Sequence, residues 1–149
     1  IGDGPDMLRL KQMACDLHAD DIIRFTGWLD LPAQVNEALN AGDIGIVMRE
    51  GQESDSFHTT GALVHSMACG LPVLAARLGG VAEIVRENET GLLFDPSSKE
   101  EFQVKLMRLA ESRDMRMRWG AAGHKLARDL FDIQRVADAT VRPLLELLK

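Results

Sequence analysis

Short apolar runs alternate along this chain with amphipathic stretches, and that alternation leaves few folds open. "DIGIVMR" (Asp43 to Arg49), "PVLAA" (Pro72 to Ala76) and "TGLLF" (Thr90 to Phe94) are short aliphatic or β-branched segments, which read as strands. "DIIRFTG" (Asp21 to Gly27) reads the same way, and Ile1 looks like the last residue of a strand that turns through "GDGP". Between them the apolar residues recur at helical spacing. Met7, Leu8, Leu10, Met13, Ala14 and Leu17 predict one helix, and Val35, Ala38 and Leu39 place another over Pro32 to Ala41, with Gly42 as its stop. Thr60 to Ala68 predicts a helix ended by Gly70 and Pro72, and "GGVAEIVRE" a short helix from Gly80. Helices follow over Lys99 to Glu111 and through most of Asp114 to Lys149, broken near Asp132, with Gly120 and Gly123 expected to loosen the first part. Strands alternating with helices in this way call for a parallel sheet covered on both faces, an α/β doubly wound domain.

The 149 residues suffice for one such domain over 1–149, helical from about residue 114. Because the chain opens on "IGDGPDM", it reads as a piece of something longer, lacking part of its first βα unit. With 46% apolar and 27% charged residues the chain is expected to be ordered, and a net charge of -6 with no basic block argues against nucleic acid as a partner. Cys15 and Cys69, each within an apolar stretch, read as two buried thiols suited to a reducing compartment. Neither they nor His18 and His124 have ligand spacing, so no metal site is expected. No apolar run reaches the ~18 residues of a spanning helix, and no signal peptide is apparent.

In a parallel sheet, ligands sit beyond the carboxyl ends of the strands, where loops enter helix N-termini. The longest connection, Arg49 to Thr59, leads into "TTGALVH" and delivers Ser56, His58, Thr59 and Thr60 to a helix start. The first turn of a helix carries unpartnered amides and the positive end of the dipole, which suits an anion such as a phosphate. Gly61 would let that anion approach, and the hydroxyls of Thr59 and Thr60 can donate to it. Either threonine can equally be an N-cap, and the two roles are compatible. His65 is open to two readings: a histidine satisfied within the helix face, or a polar group one turn in from a phosphate, at the distance of a sugar hydroxyl. "GDGP" is explained by a tight turn. Gly79 and Gly80, with Glu83, fit either a turn and helix start or a sugar-contacting element. Trp119, Met115 and Met117 read as packing, and Arg108 to Arg118 as a solvated helix face and turn.

Four blocks in order, "GDGP" (2–5), "IIRFTGWLD" (22–30), "SMACGLPVLAARLGGVAEIV" (66–85) and "NETGLLFDP" (88–96), resemble the C-terminal, donor-binding domain of family 4, or group 1, glycosyltransferases of GT-B fold. The resemblance implies a Rossmann-like domain holding a nucleotide-diphosphate sugar, its substrate, with no separate cofactor. It implies that Trp28 and Leu29 receive the base and that Ser56, His58, Thr59, Thr60 and Gly61 take the diphosphate. It places Gly2, Gly4, Gly79 and Gly80 in the donor cleft. Family members carry Glu-x7-Glu, whose second Glu takes the ribose hydroxyls; here that position is His65 and the first is Phe57, with Glu53 or Asp55 as candidate stand-in acids. The Arg and Lys that relatives use for the diphosphate would precede Ile1. The implied partner is an N-terminal GT-B domain of the same parent chain, with cytoplasmic localisation and room for peripheral membrane association at the inner face through that absent half. The implied activity is a retaining transferase, the fragment alone being inactive. A non-catalytic module with a decayed donor site and a nucleotide-sugar epimerase are the alternatives.

Overall fold

The computed structural model describes residues 1–48 and 60–147. Two compact units divide the chain, residues 1–38 and residues 39–149.

In the first unit, helix α1 (Met7–Asp16) follows the "GDGP" turn, in which the Asp3 carboxylate accepts from the Gly4 amide at 2.8 Å and the Gly4 carbonyl from Met7 N–H at 3.1 Å. The helix ends where His18 takes a left-handed φ of 52°, its amide returning to the Cys15 carbonyl. Ala14 is the one buried residue of α1. Cys15 is exposed, because it occupies the helix position next to the Ala14 stripe; the expected buried thiol is not there. The expected strand over Asp21 to Gly27 does not form either. Its only ladder contact among the described residues is one antiparallel bridge, Gly27 to Gly2, and Ile22 is 78% exposed. Helix α2 (Pro32–Asn40) begins with proline at its first position, where a missing N–H costs nothing.

The second unit is built on three parallel strands in the order β1 (Gly45–Val47), β2 (Val73–Ala76), β3 (Gly91–Phe94). Val47 pairs with Ala75, and Ala76 with Phe94. All of β2 and β3 is buried, so these strands lack the polar alternation of a half-exposed sheet, yet their period of two still sorts the side chains. Val73, Ala75 and Leu93 join Leu63 and Met67 of α3 (Gly61–Ala68), Val81 of α4 (Gly79–Ala82), and Leu126 and Ala127 of α6 (Arg113–Phe131). Leu74, Ala76, Leu92 and Phe94 face the other way, onto Leu109 of α5 (Lys99–Glu111) and Trp119 of α6. Phe102 meets Phe94 edge-on at 5.1 Å, and Arg108 lies over the Trp119 ring at 5.6 Å. Both faces of the sheet are therefore covered.

Local chemistry sets the helix ends. The Ser98 hydroxyl accepts from Glu101 N–H while the Glu101 carboxylate reaches back to Asp95 N–H at 2.7 Å, a reciprocal cap that opens α5. Ser112 caps α6, and Asp132 separates it from α7 (Ile133–Leu147) by accepting from the amides of Gln134 and Arg135. Gly120 and Gly123 do not loosen α6, which is continuous through them. They let it approach α3: a Cβ on Gly120 would stand 2.0 Å from the Gly70 carbonyl oxygen, and Gly70 itself turns the chain at φ +75°.

Candidate functional site

Each strand of the sheet runs in the same direction, so the segments leaving β1, β2 and β3 depart from one edge. Helix α3 must return the chain to the start of β2, which puts its N-terminus on the carboxyl side. The same holds for Gly79 and Gly80, the first residues of α4 after β2.

Thr60 is the N-cap of α3, with extended backbone (φ -86°, ψ 142°). Its Oγ1 accepts from Leu63 N–H at 3.3 Å, so the capping role is real. That bond uses a lone pair and leaves the hydroxyl hydrogen to donate elsewhere. The amides of Gly61 and Ala62 carry no hydrogen bond to any described residue, and both residues are exposed. Two N–H groups, one O–H and the positive end of the helix dipole thus converge, a set suited to an anion.

His65 is exposed rather than sealed in the core. Its side chain folds back towards the start of its own helix, and its Cε1 lies 3.8 Å from where a Cβ on Gly61 would be. The remainder of α3 faces inward through Leu63, Ser66 and Met67. Ser66 is packed so closely on β1 that a Cβ on Gly45 would stand 2.7 Å from its own. The helix is also held at its far end, where His124 Nδ1 donates to the Ala68 carbonyl at 2.6 Å.

Of the other expected site residues, Glu53, Asp55, Ser56, His58 and Thr59 lie outside the described residues. Gly79 and Gly80 open α4 without a side-chain cap. Trp28, 72% exposed, and Leu29, half-buried, belong to the first unit, as do Gly2 and Gly4. Gly2 holds a positive φ of 136° and donates to the Gly27 carbonyl at 3.0 Å.

A polar network next to β3 escaped the sequence reading. Glu87 accepts from Leu93 N–H at 3.3 Å and pairs with Arg77 at 3.2 Å and with Lys105 at 3.4 Å. Lys105 also pairs with Glu101 at 2.7 Å and donates to the Leu93 carbonyl. Each partner is distant in sequence except the Glu101–Lys105 helical pair, which was the one available signal. Asp95 is held below the usual carboxylate range, first by the Ser97 hydroxyl and then by the Ser97 amide. Among the described residues no three His, Cys, Asp or Glu side chains gather as a metal site, and no helix is long and apolar enough to cross a membrane.

Residues 1–126 match the sequence profile of the glycosyl transferases group 1. The chain belongs to that family. It is 33% identical over 138 residues to a D-inositol 3-phosphate glycosyltransferase of Thermomonospora curvata, which spans 93% of this chain and 30% of that protein. The fold is similar to Anabaena HepE in complex with UDP-glucose, with TM-score 0.83 at 22% identity over 97% of this chain and 39% of that one. It is also similar to the C-terminal domain of a group 1 glycosyl transferase, LpcC, of Francisella tularensis, with TM-score 0.71 at 24% identity over 87% of this chain and 66% of that one. The expected Rossmann-like sheet of GT-B type is thereby met. This group 1 chain spans about a third of the length of the curated relatives it matches.

Proposed function

We propose that this chain binds the nucleotide-diphosphate sugar of a retaining glycosyltransferase that moves the sugar to a hydroxyl acceptor. The observation that carries the reading is the start of α3: amides at Gly61 and Ala62 with no bond to any described residue, and the exposed His65 ring beside them. When the glycosidic bond to the diphosphate breaks, negative charge grows on the departing phosphate oxygen. Amides already aligned on that oxygen stabilise it without reorganising, which is how such a site lowers a barrier. The Thr60 hydroxyl donates to the same phosphate, and Gly61 leaves room for it. His65 hydrogen-bonds a ribose hydroxyl from one turn further in, taking the place of the family's carboxylate with a single acceptor or donor.

In this reading Ser56, His58 and Thr59 add donors to the diphosphate, Glu53 or Asp55 serves as the acid, and Trp28 and Leu29 meet the base. Gly79 and Gly80 offer a second uncapped helix start to the sugar. The scheme uses no resident cofactor or metal. The acceptor is held by an N-terminal GT-B domain of the same protein, which acts in the cytoplasm or at the inner face of the membrane. HepE, crystallised with UDP-glucose, is a fold neighbour whose ligand is of the proposed class.

Calorimetric titration of the full-length protein with UDP, GDP and their sugars tests the proposal. One nucleotide saturates the wild type, Gly61→Asp abolishes that binding and His65→Ala weakens it. Absence of saturable binding by the wild type to either nucleotide overturns the donor-binding role and favours a decayed module. Retention is read from the anomeric configuration of the first product formed, and an inverted product overturns that part.

A further inference from the structure

A second cluster of charge sits away from the α3 start, at the elbow where α6 gives way to α7. Here His124, Lys125, Arg128, Asp129, Asp132 and Arg135 line one cavity of about 380 Å³. None of them is given a binding role by the sequence alone. By formal charge the lining carries three cations against two carboxylates, within a chain whose balance is -6.

The two carboxylates are already engaged. Asp129 pairs with Arg135 at 2.7 Å, and Asp132 Oδ1 accepts from Gln134 N–H at 3.1 Å and Arg135 N–H at 3.2 Å. The side chains of Lys125 and Arg128 make no ion pair or hydrogen bond among the described residues. Spaced three apart on α6, they share one helix face, and Arg135 approaches the same space from α7. His124 is turned by its bond to the Ala68 carbonyl, so Nδ1 holds the proton and the rest of the ring is left to the cavity.

We propose that this elbow is an anion site that takes a phosphate group. The Arg128 guanidinium and the Lys125 ammonium from one helix, with the N–H groups of Arg135 that Asp129 does not occupy, can each meet a different oxygen of a tetrahedral oxyanion. The cavity holds more than a bare phosphate, leaving room for what the phosphate is attached to. The site is independent of the donor site and stands or falls separately from it.

The test uses the full-length protein bearing Gly61→Asp, so that the α3 start is closed to anions. Inorganic phosphate is titrated at constant ionic strength against chloride, following amide resonances of residues 124–135. Phosphate shifts them saturably and chloride does not; the exposed, fold-neutral double variant Lys125→Ala, Arg128→Ala binds roughly tenfold more weakly or worse. Sedimentation with phosphatidylcholine vesicles, with and without phosphatidic acid, identifies the source. Binding that depends on phosphatidic acid and on Lys125 and Arg128 assigns the site to a lipid headgroup, and phosphate saturation without vesicle binding assigns it to a soluble ligand. Equal shifts by phosphate and chloride, or undiminished binding in the double variant, overturn the proposal.

Discussion

The His65 ring lies against its own helix start, Cε1 3.8 Å from the position a Gly61 Cβ would occupy. That distance is ordinary van der Waals contact, and no other described residue crowds the position. Gly61→Ala is therefore accommodated by the fold. It raises stability by about 0.5 kcal/mol through the helix preference of alanine, while its methyl group intrudes on the space proposed for the diphosphate. Thermal melting shows the small gain, and calorimetry shows weaker nucleotide binding in the same variant.

Gly120 and Gly123 occupy the same helix three residues apart and are expected to respond in opposite directions. A Cβ on Gly120 would meet the Gly70 carbonyl oxygen at 2.0 Å, a backbone atom that cannot step aside. Gly120→Ala thus costs about 3 kcal/mol, as helices α3 and α6 are forced apart. At Gly123 the nearest atom is Met67 Cγ at 3.8 Å, so Gly123→Ala is neutral or stabilises by up to about 1 kcal/mol. Denaturant midpoints of the two variants decide the comparison.

Thr60 holds the first turn of α3 through its hydroxyl. Thr60→Ala is expected to lose about 1 kcal/mol of stability, and Thr60→Ser most of nothing, because serine presents the same oxygen. If the hydroxyl also donates to the diphosphate, alanine weakens nucleotide binding beyond the change that serine produces. Melting curves and calorimetry on the pair separate the two roles.

The carboxylate of Glu101 is held below its ordinary value by the Lys105 ammonium first, and then by the Asp95 amide. A carboxylate whose pKa is depressed on folding adds stability that is complete above its unfolded value. That stability is lost as pH falls through the folded one. Acid destabilisation of the wild type should therefore gain a component below about pH 4.5 that Glu101→Gln lacks. Urea midpoints measured from pH 6 down to pH 3 check it, and parallel curves for the two proteins count against the assignment.

Much of the second unit was legible because its signals are local. Gly70 and Pro72 stop α3 and the last helix breaks near Asp132, each signal acting within a few residues of itself, whereas the Ser98 and Ser112 caps of α5 and α6 emerged only with the structure. The anion-prone helix start at Thr60 and Gly61 was legible for the same reason. The run Asp21 to Gly27 misled, since β-branched residues favour a strand but only a neighbouring strand makes one, and among the described residues a single bridge to Gly2 is all that pairs there.

Sequence by itself therefore determined the alternation of strand and helix, the helix stops, and the polar groups offered at the first turn of α3. Tertiary structure alone decided that Gly120 exists for the carbonyl of Gly70, that Glu87 gathers Arg77 and Lys105, and that His65 stays exposed. The reason is range: a cap or a stop closes hydrogen bonds within one turn of chain. A close approach between backbones, or the exposure of one side chain, depends on elements brought together only when the sheet closes its core.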